Sequence, residues 1–326
     1  MKRRRLLLAG GGWLAAAAVP AFPQAPKLRR IAFLHPARQA GTQAEAFESF
    51  RAELKELGYV EGRTISIEAT WAEDHPERLP SLAAAIVARK PDVVVTATTA
   101  GVAVLHKATS TIPIVFATVA NPEEQGFVSS LQRPGGNITG VLVYSKLTQK
   151  LVELTREALP AAKRLAFLTH EADPAHQYDL QDFEETARRL KFTPFVVKIS
   201  GREDFQRAFD ELSTRKSDAV LVGQLSIFGS NQKEIAALAL QRKLPLLSTQ
   251  LGMAEKGGLL SYGTARDENY RRAAALVDKI LRGAKPADIP VEQPQRFYLI
   301  VNRKTARLIG AKLAPALNGR ADRVID

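Results

Sequence analysis

Short, nearly unbroken apolar runs alternate along this chain with longer stretches in which apolar side chains return every three or four positions. The first kind reads as buried strand, the second as amphipathic helix. "RRIAFL", opening at Arg29, is a strand; "AEAFESFRAELKELGY" follows as a helix with Phe47, Phe50, Leu54 and Leu57 on one stripe. "TISIEATW" is the next strand and "PERLPSLAAAIVARK" the next helix, with Pro76 in its first turn, where a missing N–H is harmless. "DVVVTA" is apolar throughout, as expected of a strand covered on both faces. "IPIVFAT" and "NITGVLV" complete a series of five strands. Strands alternating with helices predict a parallel, doubly wound α/β sheet.

The second half repeats the plan. "KRLAFLTH" (163–170) echoes "RRIAFLHP" (29–36), "KSDAVLVGQL" (216–225) echoes "KPDVVVTATT" (90–99), and "RKLPLLSTQ" (242–250) echoes "STIPIVFAT" (110–118). Three echoes in one order predict two Rossmann-like lobes. Lobe one is expected to span 27–143 plus about 264–290, and lobe two 146–260 plus about 296–326. The addition to lobe one is a long helix with Tyr270, Ala274, Val277 and Leu281 on one stripe, stopped by Gly283 and Pro286. Three crossings, "VLVYSKL", "LLSYGTA" and "PVEQPQRF", would form a hinge. The tail "LAPALNGRADRVID" reads as surface packing.

The N-terminus changes the picture. "MKRRR" precedes the apolar run Leu6 to Val19, and small residues Ala21 and Ala25 follow. This is the layout of an export signal over residues 1–25, with an apolar run too short to span a bilayer. The adjacent arginines fit the twin-arginine route as well as general secretion. Removing Lys2, Arg3, Arg4 and Arg5 takes the formal net charge of +12 to +8. The remaining basic residues are dispersed, with no helix-turn-helix signature or aromatic-basic platform, so no nucleic-acid partner is expected. Cysteine is absent, which removes disulfides, thiolate catalysis and cysteine-ligated metals.

In open parallel sheets, ligands bind beyond the carboxyl ends of the strands. In lobe one those ends carry His35, then Thr98 and Thr99, then Thr118. In lobe two they carry His170, Gln224, Thr249 and Gln250. Most are neutral hydrogen-bonding groups, which suits binding better than turnover. The helix starting at "TATTAG" offers unpaired N–H groups and partial positive charge, a setting for a carboxylate, although Thr is also an ordinary cap. No metal-site spacing links the histidines, and no cofactor fingerprint occurs. "HEADPAH" (170–176) offers metal-ligand types but reads more simply as a helix-capping loop. Ser226 and His170 end strands, yet "GQLSIFG" is not a nucleophile elbow and no acid is tied to them.

"RPGGNITGV", "LVELTREALPAAKRLAFL", "GGLLSYG", "YRRAAALVDKILRGAKPADIPVEQPQRFYLIVNRKTARLIG" and the closing "RADRVID" resemble the tryptophan-binding-like branch of ABC-transporter substrate-binding proteins. The resemblance spans almost all of the chain after the signal. It implies the type I periplasmic binding fold, with two lobes on a three-stranded hinge, and a monomer that passes a small organic acid or amino acid to an inner-membrane ABC permease. It also implies a ligand-facing Thr turn at Thr98 and Thr99. Where the family often has Asp-Pro after the fourth strand, this chain has Asn121; where it often has Asp in the second-lobe turn, this chain has "GQLS". These departures argue against an ammonium-bearing ligand and for a small carboxylate, with or without an aromatic ring. Tyr144 and Tyr262, near the crossings, are candidates to stack on it or to pack the hinge. A periplasmic ligand sensor and, further off, a secreted α/β hydrolase are the alternative classes.

Overall fold

The structure, a computed structural model, describes residues 28–143, 146–170, 176–294, 296–317 and 319–326. The export-type leader, Tyr144 and most of "HEADPAH" lie outside the described residues.

The first lobe runs β1 (Arg29–His35), α1 (Gly41–Glu56), β2 (Ile65–Trp71), α2 (Leu79–Ala88), β3 (Val93–Thr96), α3 (Thr99–Ala108), β4 (Ile114–Val119) and β5 (Ile138–Leu142). All neighbours pair in parallel, in the order β2-β1-β3-β4-β5. Successive side chains of β1 point to opposite faces. Ile31 and Phe33 pack with Phe47, Phe50 and Leu54 of α1. Ala32 and Leu34 pack with Leu79, Ala83 and Ile86 of α2 and Val102 and Leu105 of α3. Covered on both faces, β3 has no exposed residue, which is why it reads as an unbroken apolar run.

The second lobe runs α4 (Leu147–Ala158), β6 (Arg164–His170), α5 (His176–Arg189), β7 (Thr193–Ile199), α6 (Phe205–Thr214), β8 (Ala219–Val222), α7 (Ser226–Ser230), α8 (Gln232–Gln241), β9 (Leu246–Ser248), α9 (Leu251–Glu255) and β10 (Leu260–Gly263). Its order β7-β6-β8-β9-β10 repeats the first lobe strand for strand. The three sequence echoes are β1 with β6, β3 with β8, and β4 with β9.

The next helix, α10 (Arg266–Leu281), returns to the first lobe. Its Tyr270, Ala273, Ala274 and Val277 join the cluster around Phe47 and Phe50. The chain then runs beside β5, where Glu292 N–H donates to Gly140 O at 2.9 Å and Leu142 N–H to Glu292 O at 2.8 Å. It finally adds β11 (Tyr298–Asn302), antiparallel to β10, then α11 (Arg303–Ile309) and β12 (Arg323–Ile325), parallel to β11. The tail therefore does more than cover the surface. It supplies a seventh strand to an otherwise open edge, registered by the Asp322 carboxylate, which accepts the Leu299 N–H at 2.8 Å.

Candidate functional site: the cleft between the lobes

The two lobes touch through the ends of their strands. The Thr42 hydroxyl, in the first turn of α1, donates to Gly229 O of α7 at 3.2 Å. The Ser230 hydroxyl donates to Asp74 Oδ1 at 3.3 Å, and the Arg38 guanidinium donates to the Asn231 side-chain oxygen. Gly229 makes the approach possible, because a Cβ there would collide with the Gln43 amide and sit 3.1 Å from Gln250 Oε1.

The structure sorts the expected site residues into separate places. Gln224, Thr249 and Gln250, from the turns after β8 and β9, line a cavity of about 620 Å³ between the lobes, bordered also by α1 and the start of α10. His170 borders a small pocket of about 40 Å³ with Pro36, Ala100 and Ser226. It also lines a third cavity of about 570 Å³, with Arg38, Asp74 and Arg202. Thr98, Thr99, Thr118 and Asn121 stand on the first-lobe wall and line none of these three.

Their local roles are distinct. Thr98 caps α3, its hydroxyl accepting the Gly101 N–H at 3.0 Å. Gly101 is required there, since a Cβ would collide with the Thr96 hydroxyl. The Thr118 hydroxyl donates to Ala97 O, tying the ends of β3 and β4 together. Asn121 adopts φ 48°, a left-handed conformation that Asn tolerates well. Tyr262 is half-buried against the second-lobe core, its ring stacked on Phe297 at 5.9 Å.

His35 is fully buried beside Phe33 and Trp71. Its Nδ1 accepts the Ala37 N–H at 3.1 Å, which leaves the proton on Nε2. Burial, and then the positive charge of Arg266, push its pKa down to about 3. It is a neutral imidazole at any physiological pH.

Sequence reasoning missed Gln43 and Arg266. Arg266, the first residue of α10, is partly buried and lines the 620 Å³ cavity. Its guanidinium donates to Gln43 Oε1 at 2.9 Å and reaches Gln250 Oε1 at 3.4 Å. Burial lowers its pKa from the ordinary guanidinium value; Tyr270 opposes that, and no carboxylate among the described residues does. Gln250 is held from behind, its Nε2 donating to Gly223 O at 3.1 Å and Leu225 O at 3.0 Å. Gln43 Nε2, Thr249 Oγ1, Gln224 Oε1 and Gln232 Oε1 are buried and make no hydrogen bond among the described residues. One signal was available: Gln43 and Arg266 each stand four residues before an aromatic on its helix's buried stripe, Phe47 and Tyr270.

Residues 34–325 match the model of the ABC transporter substrate binding protein family. The chain belongs to that family. A tyrosine-binding protein of Clostridioides difficile (strain R20291) is 25% identical over 274 residues, covering 84% of this chain and 79% of that one. A Streptococcus pneumonia ABC domain solved in complex with L-Trp superposes with a TM-score of 0.83 at 23% identity, over 91% of this chain and 100% of the other. A conserved domain protein of Vibrio cholerae gives 0.85 at 25% identity, with the same coverage. The fold of this substrate-binding protein is thus the type I periplasmic binding fold.

Within that fold the cleft offers hydrogen bonds and a cation rather than reactive groups. No group of three or more potential metal ligands occurs among the described residues. Ser226 and His170 border the same small pocket, but His170 Nε2 is turned to Ser200 O at 2.7 Å. No helix among the described residues is long and apolar enough to cross a membrane.

Proposed function

We propose that this substrate-binding protein is exported to the periplasm, closes its lobes on a small carboxylate-bearing molecule, and delivers it to an inner-membrane ABC permease. The bound molecule is an organic acid or an amino acid, with an aromatic side chain within the accepted range. The observation that carries this reading is the interlobe cavity, lined by Gln224, Gln232 and Thr249, which carry polar atoms without hydrogen-bond partners among the described residues, and by the Arg266 guanidinium. Such a wall gains hydrogen bonds when a polar molecule is enclosed and loses them when the lobes part. That is the differential contact that closure by population shift needs. The tyrosine-binding protein and the L-Trp complex point the same way, since both amino acids carry a carboxylate and an aromatic ring. The apolar run behind "MKRRR" supports export.

Mass spectrometry of what the denatured protein releases, with a thermal-shift panel of amino acids and organic acids, tests the reading. At least one carboxylate should raise the melting temperature by several degrees, as expected for a ligand well above its Kd. A folded protein that releases no small molecule and responds to none of the panel would overturn it.

A further inference from the structure

The geometry points to Arg266 as the anchor for the carboxylate of the bound molecule, set between Gln43 of the first lobe and Gln250 of the second so that both lobes respond when it is filled. This deepens the receptor reading above and rests on it.

Arg266 begins α10 just after the chain passes from β10 into the first lobe, a position from which one side chain can touch both halves. It does so. Its Nη1 meets Gln43 Oε1 at 2.9 Å and its Nη2 lies 3.4 Å from Gln250 Oε1. Both acceptors are neutral amides. Other partly buried guanidinium groups have carboxylates, as Arg272 has Glu292 at 2.8 Å and Arg38 has Asp74 at 3.4 Å, or, like Arg156, are taken up by the carbonyls of Leu190, Pro160 and Ala162 and the face of Phe192. A cation taken out of water without a counter-ion or a full set of acceptors is costly, and Arg266 has only the two amide oxygens. The carboxylates bordering the same cavity do not serve. Asp322 is engaged by Arg296 and the Leu299 N–H, Glu255 by Arg323, and Glu268 by the Tyr298 hydroxyl. Glu45 and Asp267 are exposed at the rim, and neither forms an ion pair with Arg266.

The neighbours fix the orientation of the fork. Gln250 spends both its Nε2 hydrogens on Gly223 O and Leu225 O, so its Oε1 is left to accept from Gln232 Nε2 at 3.1 Å and from Arg266 at 3.4 Å. Gln43 presents Oε1 to Arg266 and leaves its Nε2 buried and unpartnered. The Thr249 hydroxyl, 2% exposed, is also unpartnered. A planar guanidinium and an unpartnered hydroxyl lining one cavity match a carboxylate, which accepts several hydrogen bonds and takes two from one guanidinium. Lysine would supply the charge without the fork.

The test compares wild type with Arg266→Met and Arg266→Lys, using acetate as the minimal carboxylate and acetamide as its neutral isostere. Melting temperatures are read with and without each probe at high millimolar concentration. Affinity is also measured for whichever carboxylate the panel finds tightest. Acetate, and not acetamide, should stabilise wild type. Arg266→Met should lose that response and bind the panel carboxylate about 100-fold more weakly. Without any probe it should melt at or above the wild-type temperature, because it removes an unpaired cation. Arg266→Lys should fall between. Three results would each overturn the anchor: no acetate response in wild type, equal protection of Arg266→Met, or probe-free Arg266→Met melting well below wild type. The receptor reading fails separately, if the protein neither releases nor binds any small molecule. If a released molecule binds independently of Arg266, only the anchor fails.

Discussion

Arg38 and Arg266 both stand at the junction of the lobes, and both reach a side-chain amide oxygen across or beside it. Arg38 touches Asn231 of the second lobe and has the Asp74 carboxylate at 3.4 Å. Arg266 touches Gln43 and Gln250 and has no carboxylate partner among the described residues. The first arrangement has its counter-ion within the chain. It latches Asp74, Ser230 and Asn231 together whatever the cleft contains. The second is complete only when something anionic is added. A charged side chain at an interface therefore says little until its counter-ion is sought: with one it is architecture, and without one it is a place to test for a ligand.

The largest test of this contrast uses His35, which lies in the electrostatic reach of Arg266 and titrates near pH 3 in the folded protein. The ordinary histidine value is 6.5, so the folded pKa is the lower one. Between those values the unfolded chain binds a proton that the folded chain refuses, so stability falls as pH falls from about 6.5 to 3. The loss is on the order of 4 kcal/mol over that window. Urea melts across the range should show it, and His35→Gln should flatten the curve. Arg266→Met should recover only a small part, because burial is the larger cause of the shift. A pH-independent wild type would show that His35 is not buried as a neutral ring.

Next in size is Arg38→Met, which leaves Asp74 largely buried without its cation. Burial already raises the Asp74 pKa, and Arg38 opposes that rise. Removing the opposition raises it further, so the deficit is present above the new pKa and shrinks as acid protonates the carboxyl. About 2 kcal/mol should be lost at neutral pH, less than for a fully buried pair because Arg38 is partly open to solvent. Equal behaviour of Arg38→Met and Arg266→Met in chemical denaturation would erase the distinction between the two arginines.

The smallest effect should come from Gly229→Ala. The added methyl meets the Gln43 amide, so it wedges the lobes apart on the Arg266 side. Small-angle scattering should show a more open particle, and carboxylate affinity should fall by roughly tenfold, about 1.4 kcal/mol. Unchanged scattering and affinity would mean that closure does not depend on this contact.

Much of the fold was readable because parallel strands covered on both faces are continuous apolar runs. The echoes between β1 and β6, β3 and β8, and β4 and β9 led directly to lobes of one strand order. β12 was not readable: three residues, Arg323 to Ile325, carry too little pattern, and only the open edge of β11 makes them a strand. Gln224, Thr249 and Gln250, expected at the cleft because strand ends face it, do line the interlobe cavity. Gln43 and Arg266 were passed over because a polar residue in the first turn of a helix normally faces water.

The order of elements, the duplicated plan, the apolar faces and the export-type N-terminus are thus properties of the sequence itself, since they follow from local periodicity and composition. Which polar groups become a site was decided by the tertiary structure alone. Gln43 and Gln250 are 207 positions apart in the chain, and neither has a special local context. Only the docking of two lobes takes water from around Arg266 between them, and the proposed anchor rests on that loss of water, with no carboxylate among the described residues to offset it.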